Sequence, residues 1–421
     1  MEQKAIFIDR DGTIVEDVPY CNSPRRVRLL DGVGKAIKRL NDQRYLVILI
    51  TNQSGVARGY FSEETLGKIH NKLKEELDCF GARLDDIFYC PHHPGQGCTC
   101  RKPATGLIDM AVEKYGIDIG RSYFIGDRFI DIQAANRAGC QAVLVPYAPP
   151  ETDYFKQEVA PDSRPSFLAA DFTTAVDWVL ADAAGKASVS VVIPTMNEEK
   201  NIGCVLPRLR CVPGITEVIL VDGKSTDRTV EKALQLWPEI KVINQPGRGK
   251  GNAMRAGFEA ATGDIVVTLD ADGSLAPEEL PRYIGPLFEG YQMVKGSRFC
   301  RGGGTSDMPL FRRFGNFIFT KMANLVCGCH YTDLVYGYHA FRRQILDSLC
   351  LRSDGFEIDT EMYIRAARIG LKVKEVPSYE ARRLAGTGKL RSFHDGARIL
   401  RTILRENFHG CPVYFGSGFS L

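Results

Sequence analysis

No apolar run in this 421-residue chain reaches the roughly 18 residues needed to span a bilayer, so no transmembrane helix is expected. No charged, apolar leader precedes the strand-like start at Ala5 either, so a cytoplasmic location without a secretory signal is expected. Net charge is scarce: 54 basic against 51 acidic residues leave +3, too little to point to nucleic acid as a partner. A disulfide framework is missing as well. The 13 cysteines are odd in number and scattered through core-like segments, which suits a reducing compartment. Only Cys90, Cys98 and Cys100 cluster.

At 421 residues the chain exceeds the size at which one hydrophobic core stops growing, so two domains are expected. Its 44% hydrophobic and 25% charged residues are the balance of a globular protein. Strand-like and helix-like segments alternate throughout, predicting an α/β fold of two doubly wound, Rossmann-like domains. Apolar runs at 5–8, 46–50, 123–125 and 142–145 read as buried strands, with helices at 63–78 and 105–114 between them. The stretch 148–165 is irregular, with Pro149, Pro150, Pro161 and Pro165; a short strand at 166–169 and a helix at 173–184 follow. The expected division is a first domain over 1–184, a joint at 185–188, a second domain over 189–408 and a tail over 409–421.

Two Asp-x-Asp pairs stand at the ends of apolar strands: Asp9 and Asp11 in KAIFIDRDGT, Asp270 and Asp272 in DIVVTLDADGS. Carboxylates two apart in an extended segment point to one side, where they can hold a divalent cation or divide nucleophile and acid duties. In the first pair, Asp9 reads as a nucleophile toward phosphorus. Asp11 then protonates the leaving oxygen and activates water. A polar turn holding no metal is the plain alternative. The run Thr51-Asn52-Gln53-Ser54-Gly55 offers hydroxyl, amide and backbone donors to a phosphoryl group. Arg101 and Lys102 supply cations, and Asp127, with Asp131 four residues on, supplies another carboxylate for Mg²⁺. All follow strand C-termini, where open α/β sheets bind ligands.

In this order the residues resemble the haloacid dehalogenase phosphatase superfamily, over about residues 1–180. The resemblance implies an aspartyl-phosphate on Asp9, acid–base work by Asp11, and Mg²⁺ held by Asp9, Asp127 and the Asp11 carbonyl. It also implies that Thr51 and Lys102 hold the phosphoryl group. Cys90-Pro91-His92-His93 followed by Cys98-x-Cys100 supplies three thiolates and an imidazole, enough for a closed structural Zn²⁺ site pinning the Arg101–Lys102 loop. The family pattern puts the imidazole at His92, with His93 the less certain choice. Such a zinc loop marks the heptose-bisphosphate and histidinol-phosphate phosphatases of the superfamily. TNQSGVARG, CPHHP and CRKP resemble the heptose-bisphosphate branch. That implies a sugar bisphosphate met by Asn52, Arg58, Arg101 and Arg128, since a planar guanidinium suits a dianion. Histidinol phosphate or another sugar phosphate is the alternative substrate.

In the second half, VVIPTMNEE and VDGKSTDRT end successive strands. Gly247-Arg248-Gly249-Lys250-Gly251 opens a helix, where glycines and bases either cradle phosphates or make a tight connection. Asp270 and Asp272 suit a divalent ion bridging a pyrophosphate. With KGSRF and TDLVYGYHAFRR, these motifs resemble glycosyltransferase family 2, a GT-A fold, over about residues 188–391, although VDGKS stands where VDDGS is common. The resemblance implies a nucleotide-sugar donor held by Pro194, Glu198, Asp222 and Lys250, and Mg²⁺ or Mn²⁺ held by Asp270 and Asp272. A sugar-1-phosphate nucleotidyltransferase would need a G-x-G-[TS]-R loop where this chain has PTMNEE.

This half looks most like dolichyl- or polyprenyl-phosphate sugar transferases, which implies a polyprenyl phosphate acceptor at a membrane surface, met by Arg382, Arg383 and Lys389. Phe393, Ala397, Leu400, Leu404 and Phe408 form an apolar stripe beside Arg391, Arg398, Arg401 and Arg405. Either a helix lying on an anionic membrane or an ordinary packed surface helix satisfies that pattern. A sugar-hydroxyl acceptor would instead need a base, for which Asp333, Asp359 and Glu361 are candidates; Glu357 shares a helical face with Glu361. The expected protein is a bifunctional enzyme. Its rival is a chain in which one domain is inactive and serves for docking.

Overall fold

The computed structural model describes residues 3–146, 160–386, 388 and 392–408. Pro149, Pro150, Lys389, Arg391 and the 409–421 tail lie outside the described residues, as does the side chain of Phe408. The chain forms two compact units, Met1–Lys186 and Ala187–Leu421, and the division falls inside the 185–188 segment.

In the first unit six strands make one parallel sheet: β1 (Ala5–Ile8), β2 (Leu46–Asn52), β3 (Asp86–Cys90), β4 (Tyr123–Gly126), β5 (Gln141–Leu144) and β6 (Phe167–Leu168). All four residues of β1 are buried, as a central strand covered on both faces requires. The edge strand β3 is absent from the sequence-based set of strands because only Cys90 of its five residues is buried. Spatial order runs β3-β2-β1-β4-β5-β6. Strand order therefore reverses between β1 and β4, and a crevice opens beyond their C-terminal ends.

The second unit carries β7 (Val189–Thr195), β8 (Glu217–Asp222), β9 (Lys241–Asn244), β10 (Ile265–Thr268), β11 (Met293–Ser297), β12 (Gly304–Thr305), β13 (His339–Arg342), β14 (Val373–Pro377) and β15 (Tyr379–Glu380). Seven of them form a sheet in the order β14-β11-β13-β10-β7-β8-β9, while β12 pairs with β15 separately. Here the parallel pattern is interrupted: β13 runs antiparallel to both β10 and β11. The reversal of strand order lies between β7 and β10. Two helices, Leu310–Cys327 and Ser392–Phe408, pack on each other, and Ile399 and Ile403 of the second join the core.

Candidate active sites

In the first unit β1 delivers Asp9 and β4 delivers Asp127 to the same crevice. One carboxylate oxygen each from Asp9, Asp127 and Asp131 lies within 4.8 Å of the others. Gly126 makes this approach feasible, since a Cβ there would fall 2.4 Å from the Cβ of Asp131. Lys102 enters from the neighbouring loop: its Nζ lies 2.6 Å from Asp9 Oδ1 and 2.7 Å from Asp131 Oδ1, and donates to Ile50 O at 2.8 Å. Burial works against the Lys102 ammonium, but Asp131 and Asp9 outweigh it and hold the pKa above the ordinary lysine value.

Asn52 grips the main chain of Lys102 in both directions, accepting from its N and donating to its O at 3.1 Å. The predicted substrate ligand thus positions the lysine. Burial, then Asp9 and Asp131, push Asp127 up to about 8. Burial also pushes Asp131 up to about 6 against the pull of Lys102. A divalent cation would relieve this crowding of carboxylates, so the residues present fit a metal.

Asp11 faces other partners. Arg10 donates to its carboxylate at 3.0 and 2.8 Å and Gln53 at 2.9 Å; Gln53 also donates to Thr51 Oγ1 at 2.8 Å. Burial raises the Asp11 pKa, Arg10 lowers it and Asp9 raises it again, for a net upward shift. A carboxyl that keeps its proton longer suits an acid. Of the three arginines expected around the sugar bisphosphate, Arg58 is exposed with its guanidinium 5.8 Å from the Tyr20 ring centroid. Arg101 donates to His92 O at 3.4 Å. Arg128 pairs with Asp17 at 3.0 Å and lies 3.6 Å from Asp127.

Beside this crevice Cys90, His92, Cys98 and Cys100 bring one ligand atom each within 4.8 Å of one another. His92 Nδ1 lies 3.2 Å from Cys100 Sγ and 3.6 Å from Cys90 Sγ. His93 instead caps the short helix Pro94–Gln96, accepting from Gly95 N. Burial, then the Cys90 and Cys98 sulfurs, push the Cys100 thiol up to about 12. Thiolates so crowded would repel without a cation between them, and the donor set fits tetrahedral Zn²⁺.

In the second unit Pro194, Glu198, Lys250, Asp270, Asp272 and Arg383 line a cavity of about 730 Å³. Lys250 Nζ lies 2.8 Å from Asp270 Oδ1. Arg383 bridges Asp272 at 2.7 Å and Glu198 at 3.1 Å. Asp272 Oδ1 also accepts from the N and Oγ of Ser274, at 2.9 and 2.6 Å. Carboxylate and hydroxyl oxygens are the ligands that Mg²⁺ and Mn²⁺ prefer, and Asp270 keeps 31% of its side chain exposed, so this set also fits a metal. Asp222 stands apart from the lining, its carboxylate accepting from Ser225 N at 3.1 and 3.3 Å. The glycine-rich run serves close packing: Gly249 has φ +94°, and a Cβ on it would fall 2.2 Å from Asp354 O.

The candidate bases separate. Asp333 is wholly buried, taking two bonds from the Arg298 guanidinium at 2.7 and 2.9 Å, one from Arg298 N at 3.2 Å and one from Asn316 at 3.0 Å. Glu361, equally buried, accepts from the backbone of Arg352 and Ser353 and from Arg405. Glu357 pairs with Arg398 at 2.8 Å. These three hold the protein together and do not line the cavity. Asp359 does line it, 2% exposed, with no hydrogen-bond partner on Oδ1 among the described residues. Burial pushes it up to about 6 in spite of Lys250, 3.9 Å away.

Comparison with known proteins bears on both units. The family model for glycosyl transferase family 2 matches residues 190–350, and a HAD-hydrolase-like model matches residues 99–175. The D-glycero-beta-D-manno-heptose-1,7-bisphosphate 7-phosphatase of Haemophilus ducreyi is 45% identical over 152 residues, which are 34% of this chain and 84% of that relative. The chain belongs to this phosphatase family. A D-glycero-D-manno-heptose-1,7-bisphosphate 7-phosphatase from Thermosynechococcus vestitus is 34% identical, over 44% of this chain and 99% of its own length. A solved structure of glucosyl-3-phosphoglycerate synthase from Mycobacterium tuberculosis is 25% identical, covering 56% of this chain and 84% of that one with a TM-score of 0.45. The chain is thus a HAD phosphatase followed by a family 2 glycosyltransferase domain.

In the phosphatase unit three residues take positioning roles the sequence did not give them: Arg10, which had no role there, and Gln53 and Asp131, which were expected to meet phosphate and Mg²⁺. Arg10 and Gln53 are 2% and 4% exposed and hold Asp11. Asp131 holds Lys102. The first two sit inside motifs already singled out, and their burial is the signal that only the fold supplies. In the glycosyltransferase unit the missed residue is Arg298 of KGSRF, which lines the cavity from an anchor made of Asp333 and Glu380.

Proposed function

We propose that the phosphatase unit removes the 7-phosphate of D-glycero-D-manno-heptose 1,7-bisphosphate through an aspartyl-phosphate. The observation behind this is the meeting of Asp9, Asp127, Asp131 and Lys102 at the β1/β4 switch point. The Asp9 carboxylate attacks phosphorus, forming an acyl-phosphate bond as the bond to the sugar oxygen breaks. Asp11 gives its proton to that oxygen. Asp11 then takes a proton from water, whose oxygen attacks phosphorus and frees Asp9 and inorganic phosphate. Lys102 and Thr51 hold the phosphoryl oxygens, Arg101 adds positive charge for the in-line transition state, Arg58 meets the second phosphate and Arg128 the substrate. Mg²⁺ held by Asp9, Asp127 and the Asp11 carbonyl would offset phosphoryl charge. Zn²⁺ on Cys90, His92, Cys98 and Cys100 would fasten the loop bearing Arg101 and Lys102.

The transferase unit passes a sugar from a nucleotide donor to a polyprenyl phosphate. The acceptor oxygen attacks the anomeric carbon as its bond to the nucleoside diphosphate breaks. Lys250 and Arg298 sit where charge on the leaving diphosphate can be met, and Arg383 serves the acceptor phosphate. Mg²⁺ or Mn²⁺ on Asp270 and Asp272 would supply further cationic charge. Support for an amphiphilic acceptor comes from the cavity wall, where Phe311, Phe319, Phe393 and Leu400 face the polar set. A phosphate-release screen against heptose bisphosphates and histidinol phosphate tests the first half. Preference for histidinol phosphate would overturn the role given to Arg58.

A further inference from the structure

The cavity of the glycosyltransferase unit is lined at the ends of β7 and β9 by Pro194, Thr195 and Met196 and by Gln245, which directly follows β9. The strand between them, β8, ends in Asp222, yet that carboxylate does not line the cavity and is taken up by Ser225 N at 3.1 and 3.3 Å. Glu198, the other acid expected to hold the donor, accepts from Arg383 at 3.1 Å and from Asn201 Nδ2 at 2.5 Å. The Thr195 hydroxyl donates to Ile193 O at 3.0 Å. The groups that the sequence offered for a nucleoside are thus largely engaged with the protein itself.

Gln245 is different. It is 7% exposed, and its side-chain amide has a fixed orientation. A carbonyl oxygen only accepts, so the amide nitrogen must face Gly249 O, to which Nε2 donates at 2.7 Å. The main chain is held as well, with Gln245 N donating to Asp222 O at 2.9 Å. Oε1 is the group left over: it accepts no hydrogen bond among the described residues. It lies beside Gly223, where an added Cβ would fall 3.0 Å from Oε1 and 3.2 Å from both Met196 Cβ and Thr195 O. Gly223 is the position at which VDGKS departs from the common VDDGS. An aspartate there would crowd Oε1 and set a second acceptor against it. The missing side chain at 223 and the amide at 245 therefore act together: one leaves room, and the other puts a fixed acceptor into it.

We propose that Gln245 selects the base of the nucleotide donor, its Oε1 accepting the ring N–H of a lactam base, N3–H of uracil or N1–H of guanine. This deepens the nucleotide-donor reading of the unit and rests on it. Cytosine N3 and adenine N1 carry a lone pair where the lactam bases carry a hydrogen. Either would set acceptor against acceptor in a nearly buried place, where an unmade hydrogen bond is costly. Met196, 43% exposed, gives the same end of the cavity a polarizable thioether suited to the flat face of a base.

The test is calorimetric titration of the full chain, with Mn²⁺ present at neutral pH, by UDP, GDP, CDP and ADP. UDP or GDP is expected to bind roughly tenfold or more tightly than CDP and ADP, and whichever of the two binds names the base. Two variants separate reading from mere support, with Tm recorded for each. Gln245→Leu and Gln245→Glu both lose the amide donor to Gly249 O, so a structural role predicts the same change in both. Only Glu keeps an acceptor oxygen. Gln245→Glu should therefore bind more weakly but retain the preference for the lactam base, whereas in Gln245→Leu the four affinities should converge. The proposal is overturned if wild type binds CDP or ADP as tightly as UDP and GDP, or if the two variants change the preference alike. Failure of all four diphosphates to bind would remove the nucleotide-donor reading itself, and the proposal with it.

Discussion

Lys250 Nζ lies 2.8 Å from Asp270 Oδ1, so the acidic pair of the glycosyltransferase unit already has a cation beside it. Burial disfavours that ammonium, but Asp270 and Asp359 more than offset the cost and raise its pKa. Two consequences of opposite sign follow from Lys250→Met. Transfer should fall by roughly a hundredfold, the size typical of losing one preorganised donor to developing charge. Apparent Mn²⁺ affinity should rise, since Asp270 no longer has a competing partner. Steady-state transfer and a metal titration check both; unchanged transfer would remove Lys250 from the donor site.

In the phosphatase unit, Asp9→Asn should abolish phosphate release and leave transfer intact. Loss of both activities would contradict independent sites. Asp131→Asn is expected to behave differently. It leaves the nucleophile in place but deprives buried Lys102 of one of its two carboxylates. Breaking a buried ion pair typically costs about 3–5 kcal/mol. A lower Tm should therefore accompany a partial loss of rate, and a variant with normal Tm and rate would show the pair to be dispensable.

Strands such as β1 and β4, buried continuously, were legible because a covered parallel strand must be apolar throughout. The acids at their ends were legible for the converse reason, as charge with no business in an apolar run. Edge strand β3 and helix Leu310–Cys327 were not legible in the same way. Their exposure departs from the inside-apolar rule, one by sitting half-buried at an edge and the other by presenting apolar residues to water. Asp333, Asp359 and Glu361 could not be ranked from sequence. Which of three acids faces a cavity depends on Arg298, Arg405 and Asn316, all distant along the chain.

The four-ligand cluster around Cys98 predicts one zinc per chain by elemental analysis. Cys98→Ser should reduce that stoichiometry and slow phosphate release, because Arg101 and Lys102 directly follow the cluster. Transfer should not change. Retained zinc, or a full phosphatase rate after its loss, would deny the cluster its fastening role.

His70 gives the phosphatase unit an acid sensitivity whose sign is set by its burial. It is 7% exposed, and its Nε2 has no hydrogen-bond partner among the described residues. Burial, then Arg10 and Lys74, lower its pKa to about 3 from 6.5. Between those values the unfolded chain takes up a proton that the folded chain refuses. The neutral ring's contribution is therefore fully present above pH 6.5 and is lost as pH falls toward 3, by at most about 1.4 kcal/mol per pH unit. Asp127 and Asp131, whose pKa values are raised, act in the opposite sense because the folded state holds their protons. Only the difference between wild type and His70→Gln isolates the imidazole. With zinc and magnesium saturating, that variant should lose less Tm than wild type between pH 7 and pH 5; an equal loss would show that His70 accepts its proton in the folded state.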